Sequence, residues 1–230
     1  MPEKQNVITI DGPSGVGKST ISRKIADSLG FTYLDTGAMY RAVGLYLERH
    51  NVDLDDEKAV AMALATVRIE LFATGTGFGD VGVLLNGEDV SQEIRSAEIA
   101  MVASRVSAIP AVREKLTRLQ RVIGEQGKIV AEGRDTGTVV FPSAMHKFFL
   151  DARPEERARR RVLQLRAMGE VVDEKKILAM TLERDKNDRE RAIAPLRQAD
   201  DALAIDTTTR DIDEVSRLVL EAVKGRQIEK

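Results

Sequence analysis

The chain has 230 residues, 43% hydrophobic and 31% charged, with a formal net charge of −2 and no cysteine. That length and apolar content suit one sizeable core and exclude a disordered chain. The near-neutral balance gives no global basic field for nucleic acid or an anionic membrane, and the missing thiols exclude disulfides, thiolate metal sites and cysteine nucleophiles.

Met1 to Asn6 runs almost directly into an apolar stretch, without a signal-like apolar core, and no run of ~18 apolar residues follows. A cytoplasmic monomer is the expectation. Val7 to Ile10 reads as a buried strand, and Lys18, Ile21, Ile25 and Leu29 then repeat at helical spacing. Between them lies Gly12-Pro13-Ser14-Gly15-Val16-Gly17-Lys18-Ser19-Thr20, which fits G-x-x-x-x-G-K-[ST]. The glycines let successive N–H groups turn toward one anion, and the helix that follows adds the positive end of its dipole. Lys18 is suited to β- and γ-phosphates and the Ser19 hydroxyl to a bridging Mg2+.

Phe31 to Asp35 reads as a second strand after a helix stop at Gly30, with Thr36-Gly37 as a turn and Ala38 to His50 as a helix. Residues 51–96 then break the strand–helix alternation. They hold a helical pattern after Asp53, strands at Val67 to Ala73 and Val81 to Leu85, a loop over Thr74 to Asp80 and a tight turn at Asn86-Gly87. We read this segment as an inserted α+β lobe between two parts of the main domain, 1–50 and 97–230. Helices are predicted from Ala97, from Pro110 to Glu125, from Ala152 to Ala167, from Asp173 to Arg191 and from Ile212 to Val223. Strands are predicted at Lys128 to Glu132, His146 to Leu150 and Ala202 to Ile205, with Lys224 to Lys230 as a frayed tail. The alternation implies an α/β fold: a parallel sheet covered by helices on both faces.

Ligands of open α/β sheets bind beyond the carboxyl ends of the strands. The phosphate loop, the run from Asp35 to Arg41 and Gly133-Arg134-Asp135 each follow a strand. They should face one crevice, with Arg41 and Arg134 placed to hold a second phosphate group. Arg153, Arg157, Arg159, Arg160, Arg161 and Arg166 make the next helix strongly basic. A solvated face paired with Glu155 and Glu156 would give the same run, and so would a clamp over a triphosphate. Arg184, Asp188 and Arg191 share one helix face at i, i+4 and i+7. His50 and His146 have no partner motif and read as structural.

The blocks Gly12 to Thr20, Leu34 to Arg41, Gly133 to Pro142 and Glu183 to Leu196 together resemble the bacterial cytidylate kinases. These are nucleoside monophosphate kinases among the P-loop NTPases. The resemblance implies a three-layer fold with a five-stranded parallel sheet, an inserted lobe and a short lid at about 153–169. It implies transfer of the γ-phosphoryl group of MgATP to CMP or dCMP. ATP would bind the loop from Gly12 to Thr20, with Arg157 and Arg160 from the lid, and Lys18, Arg134 and Arg191 would act on the transferred group. Arg41, Arg134 and Arg191 would hold the monophosphate; Ser104, Arg113 and Asp135 the base, with Thr36 and Tyr40 near it; Arg184 and Asp188 the sugar. Thr36 stands where serine is common, and Glu132 where aspartate is common.

The chemistry is consistent with that assignment. Cytosine offers an amine donor beside ring acceptors. A carboxylate only accepts and a guanidinium only donates, so Asp135 and Arg113 suit the two kinds of edge. A phosphate acceptor is already an anion, which removes the need for a general base. A kinase for another acceptor such as UMP, or a regulatory ATP-binding module, remains the rival reading.

Overall fold

The computed structural model describes residues 5–74 and 81–228. In chain order it forms β1 (Gln5–Asp11), α1 (Lys18–Leu29), β2 (Thr32–Asp35), α2 (Thr36–Arg49), α3 (Glu57–Thr66), β3 (Ile69–Ala73), β4 (Val81–Leu85) and β5 (Glu88–Asp89). There follow α4 (Ala97–Val106), α5 (Pro110–Gly124), β6 (Ile129–Gly133), β7 (Ala144–Asp151), α6 (Pro154–Ala167), α7 (Glu174–Glu190), β8 (Leu203–Asp206) and α8 (Ile212–Ile228).

Alternation along β1 sends its side chains into two separate cores. Val7 packs with Leu34, Met39, Val43, Val112 and Leu116, on the side of α2, α4 and α5. Ile8 and Ile10 pack with Ile21, Ile25, Val215 and Val219, on the side of α1 and α8. A strand apolar on both faces belongs inside a parallel sheet. β1 accordingly sits at the centre of the order β2-β6-β1-β7-β8, and every pairing is parallel. The parallel sheet expected from the alternation is therefore present, with the five strands that the resemblance implies.

Residues 51–96 hold α3 and a second, antiparallel sheet, β3-β4-β5. Asn86 and Gly87 turn between β4 and β5, both at positive φ. Val60, Leu64, Val83 and Leu85 belong to the same apolar cluster as Met39 and Leu47 of α2, so this segment shares the core of one sheet face. Most of the predicted Thr74 to Asp80 loop, residues 75–80, lies outside the described residues.

Two expectations change. Thr36-Gly37 is not a free turn but the first turn of α2. The Asp35 side chain accepts from the Ala38 N–H at 2.8 Å and caps the helix directly at the strand end. The tail expected from Lys224 is helical as far as Ile228, because it continues α8 beyond the buried Val223.

Gly124 closes α5 against the ring of Phe141, where an added Cβ would lie 2.2 Å from a ring carbon. Phe141 is fully buried in the loop region that follows Arg134 and Asp135. Gly124→Ala is expected to cost about 1–3 kcal/mol by overpacking, read as a lower urea midpoint at unchanged slope.

Candidate active site

The carboxyl ends of β1, β2 and β6 open into one cleft of about 890 Å³. The phosphate loop forms its floor. Gly12 leaves β1 so close to β7 that a Cβ there would sit 2.0 Å from the Leu150 carbonyl oxygen. Gly15 takes φ +82°, which side chains disfavour. Residues Ser14 to Thr20 line the cleft, whereas Gly12 and Pro13 are buried and do not. Lys18 is buried and donates to the Pro13 carbonyl at 2.6 Å. Burial, with Arg134 next in importance, pushes its ammonium down to about 7.

Ser19 donates from Oγ to Glu132 Oε1 at 2.7 Å, and Tyr33 donates from its hydroxyl to the same oxygen at 2.7 Å. Glu132 is 4% exposed, and its Oε2 has no hydrogen-bond partner. Burial and the neighbouring Asp35 push its carboxyl above the usual range. Burial holds the Tyr33 phenol well above its ordinary range, so Tyr33 remains a donor. Ser19 and Glu132 are hard oxygen ligands at the place where a nucleotide's phosphates would lie, which fits Mg2+. Among the described residues no group of three or more acidic, His or Cys side chains is arranged to hold a metal ion by itself. Mg2+ bound with phosphates needs only one or two protein ligands.

Cations from separate strand ends and from α7 meet across the floor. Arg41, on α2, pairs with Asp35 at 3.1 Å and keeps Nε unpartnered. Arg134 donates from Nε to Asp188 at 2.7 Å. Burial works against ionising Asp188, but Arg134 and Arg184 outweigh it and hold the carboxyl below its usual range. Arg184 is pushed down to about 10 by burial and by Arg134, with Nε buried and unpartnered. Arg191 caps α7 and reaches Asp135 at 3.2 Å and the Ser107 hydroxyl at 3.1 Å. The folded chain thus concentrates buried positive charge that its own carboxylates do not fully neutralise.

On the predicted base side, Thr36, Tyr40, Ser104 and Asp135 line the cleft. The Ser104 hydroxyl is buried without a partner, while Thr36 donates to the Glu132 carbonyl at 2.6 Å. Arg113 differs from its expected position. It is buried behind Asp135, which it pairs with, and it does not line the cleft. Its guanidinium lies 5.7 Å from the Tyr40 ring. Here Arg113 supports the base-side residues from below.

The basic helix α6 also differs from the picture of free arginines. Arg157 is 1% exposed and its fork closes on Asp185 of α7, with further bonds to the Ala152 carbonyl at 2.9 Å and the Ser14 carbonyl at 3.1 Å. Arg160 binds the Thr207 carbonyl at 2.6 Å and Glu156 at 3.1 Å. Arg159 pairs with Glu156 at 2.8 Å on the surface. Arg157 and Arg160 border the cleft, yet both are bonded to the protein. The solvated-face reading therefore fits Arg159 and fails for Arg157.

Sequence reasoning did not single out Asp11, Tyr33, Asp185 or Thr207. Asp11 ends β1 and accepts from Thr136 N, Thr136 Oγ1 and Gly137 N at 2.7–2.9 Å, and burial raises its carboxyl to about 6. It thereby ties the strand before the phosphate loop to the segment after Asp135. A buried acid beside the loop glycine was the available signal. Tyr33 had one too, since it shares a strand face with Asp35.

Lys18 carries a pH signature. Its folded pKa lies below its unfolded value near 10.5, so the unfolded chain holds more protons between about pH 7 and 10 and wild-type stability rises with pH there. Lys18→Met should be the more stable protein at pH 7. Urea melts should show that advantage shrinking by up to ~1.4 kcal/mol per pH unit as pH rises through that window. Separately, Arg157→Ala leaves Asp185 buried and unpaired, and should cost about 3–5 kcal/mol in the same melts.

Residues 8–225 match the cytidylate kinase family. The cytidylate kinase of Syntrophotalea carbinolica is 51% identical over 224 residues, covering 97% of this chain and 94% of that one. The cytidylate kinase of Vibrio cholerae is 47% identical over 222 residues, covering 96% and 97%. A solved structure of an uncharacterized protein from Eubacterium ventriosum shares the fold at TM-score 0.51 and 14% identity, covering 96% of this chain and 99% of that one. Matched along nearly its whole length, the chain belongs to the cytidylate kinase family.

Proposed function

We infer that the chain transfers the γ-phosphoryl group of ATP to CMP or dCMP, giving ADP and the nucleoside diphosphate. The observation that carries this reading is the set of buried, unpartnered polar atoms around one cleft: Arg41 Nε, Arg184 Nε and Ser104 Oγ, facing a phosphate loop whose lysine is itself short of anions. A regulatory nucleotide switch has no use for a second anion pocket. A kinase that must hold two phosphate groups face to face does. Family membership, with relatives named cytidylate kinases, supports the acceptor.

The donor triphosphate would lie along Ser14 to Thr20, on the loop N–H groups and the N-terminus of α1. Lys18 would leave the Pro13 carbonyl for the β- and γ-phosphates, whose negative charge would offset that of Arg134 and Arg184 and favour the ammonium form. Ser19 and Glu132 would hold Mg2+, which when bound supplies charge neutralisation across the phosphates. Arg41, Arg134 and Arg191 would fix the acceptor phosphate and offset charge on the transferred group. Arg184 and Asp188 lie on the face of α7 turned to the same space and would meet the sugar. The acceptor oxygen is anionic at neutral pH, so positioning and electrostatics suffice and no general base is needed.

Asp135 and Ser104 would read the base, with Arg113 holding the Asp135 carboxylate in place. Residues 153–169 form our candidate lid, moving with α7 because the Arg157–Asp185 pair joins the two helices. Closure would exclude water from the donor phosphate.

An ADP-release assay with CMP, dCMP, UMP and AMP tests the reading. Turnover should require a cytidine monophosphate, and acceptor-independent ADP release would overturn it. Asp135→Asn keeps shape but loses charge. It should lower kcat/KM for CMP by ~100-fold or more and narrow the CMP-to-UMP ratio. An equal loss with every acceptor would remove Asp135 from base reading. Lys18→Ala should lose most turnover while CMP binding survives.

A further inference from the structure

β2 and β6 run side by side, with Tyr33 opposite Val130 and Asp35 opposite Glu132. Two residues apart on each strand, Tyr33, Val130 and Glu132 therefore share the sheet face that α1 covers. Tyr33 is buried there in one apolar cluster with Val130, Ile25 and Ala26. Its ring has little freedom, with the Arg23 guanidinium 5.7 Å from its centre. Only its hydroxyl reaches the polar end of the sheet, and it ends on Glu132 Oε1 at 2.7 Å. Ser19, in the first turn of α1, donates to the same atom at 2.7 Å.

We propose that Tyr33 is a positioning residue for phosphoryl transfer: with Ser19 it saturates one oxygen of Glu132 and leaves Oε2 as the oxygen open to the divalent cation that accompanies ATP. The inference rests on the functional reading above. A carboxylate offers about four lone-pair sites. Two short bonds fill Oε1, while Oε2 is buried with no partner. An orphaned buried acceptor is costly unless a ligand completes it. The Ser19 hydroxyl has one proton, and it is directed at Glu132, so the Ser19 lone pairs stay free for the same cation. Glutamate also has rotamer freedom worth up to about 2 kcal/mol. A donor carried on a ring locked in the core removes that freedom before the nucleotide arrives.

Tyr33→Phe deletes the hydroxyl and keeps the ring. ATP affinity is measured by calorimetry, with Mg2+ and with EDTA, for wild type, Tyr33→Phe, Glu132→Asp and the double variant. The Mg2+-dependent gain in ATP affinity should fall about tenfold in Tyr33→Phe, with EDTA affinity unchanged, which also reports an intact loop. In the Glu132→Asp background, whose carboxylate is drawn back toward β6, Tyr33→Phe should change nothing further. Mn2+ substituted for Mg2+ should show an altered electron paramagnetic resonance spectrum in Tyr33→Phe with ATP bound. Equal losses with Mg2+ and EDTA, or the same loss in both Glu132 backgrounds, would reduce Tyr33 to a packing residue. Wild-type turnover with CMP, run on the same preparation, tests the functional reading separately. A failed Tyr33 result with that turnover intact overturns this assignment alone.

Discussion

Each strand of the main sheet carries an acid at or next to its carboxyl end, and each acid ties down a neighbouring piece of that edge. Asp11 clasps the backbone at Thr136 and Gly137. Asp35 caps α2, Asp151 takes the Ala152 N–H at 2.9 Å and Asp206 the Thr208 N–H at 2.8 Å. Glu132 gathers Tyr33 and Ser19. A parallel sheet puts all of these on one edge, where unsatisfied N–H groups and helix N-termini also collect. The carboxylates order the loops that carry the cations. The cations then exceed what these acids can neutralise, and that surplus makes the edge a site for anions.

The two halves of the cleft are built differently. The phosphate-loop floor is mostly backbone, shaped by Gly12, which approaches β7 too closely for a side chain, and by Gly15, which lies tight against α6. The facing wall is mostly side chain, with arginines held in place by Asp35, Asp135 and Asp188. A backbone cradle suits a phosphate chain shared by many substrates. A braced set of charged side chains fixes one anion in one place, so that a group such as Asp135 beside it meets a base edge in a set register.

What was legible in the sequence depended on separation along the chain. The phosphate loop, the strand runs and the Asn86-Gly87 turn are local patterns, and they appear where periodicity and turn chemistry put them. The strand-end rule also brought Lys18, Arg41, Arg134 and Asp135 to one cleft. Pairings across the fold were not legible. Arg157 read as one arginine in a charged run until Asp185, 28 residues on, closed on it. Arg113 suited a base edge by its chemistry, yet it lies behind Asp135 because α5 buries it there. Tyr33 meets Glu132 across 99 residues. Local propensity fixes the elements, while the partner of a buried charge is fixed by sheet order.

That order also bears on how the chain is made. β2 pairs only with β6, and β1 pairs with β6 and β7. Both early strands must therefore wait until Ile129 has left the ribosome. At ~5–20 residues per second the wait is on the order of ten seconds. Throughout it, β1, apolar on both faces, has unpaired edges and no sheet to join. The phosphate loop, though encoded first, cannot take shape until β6 and β7 have been made, well past the middle of the chain.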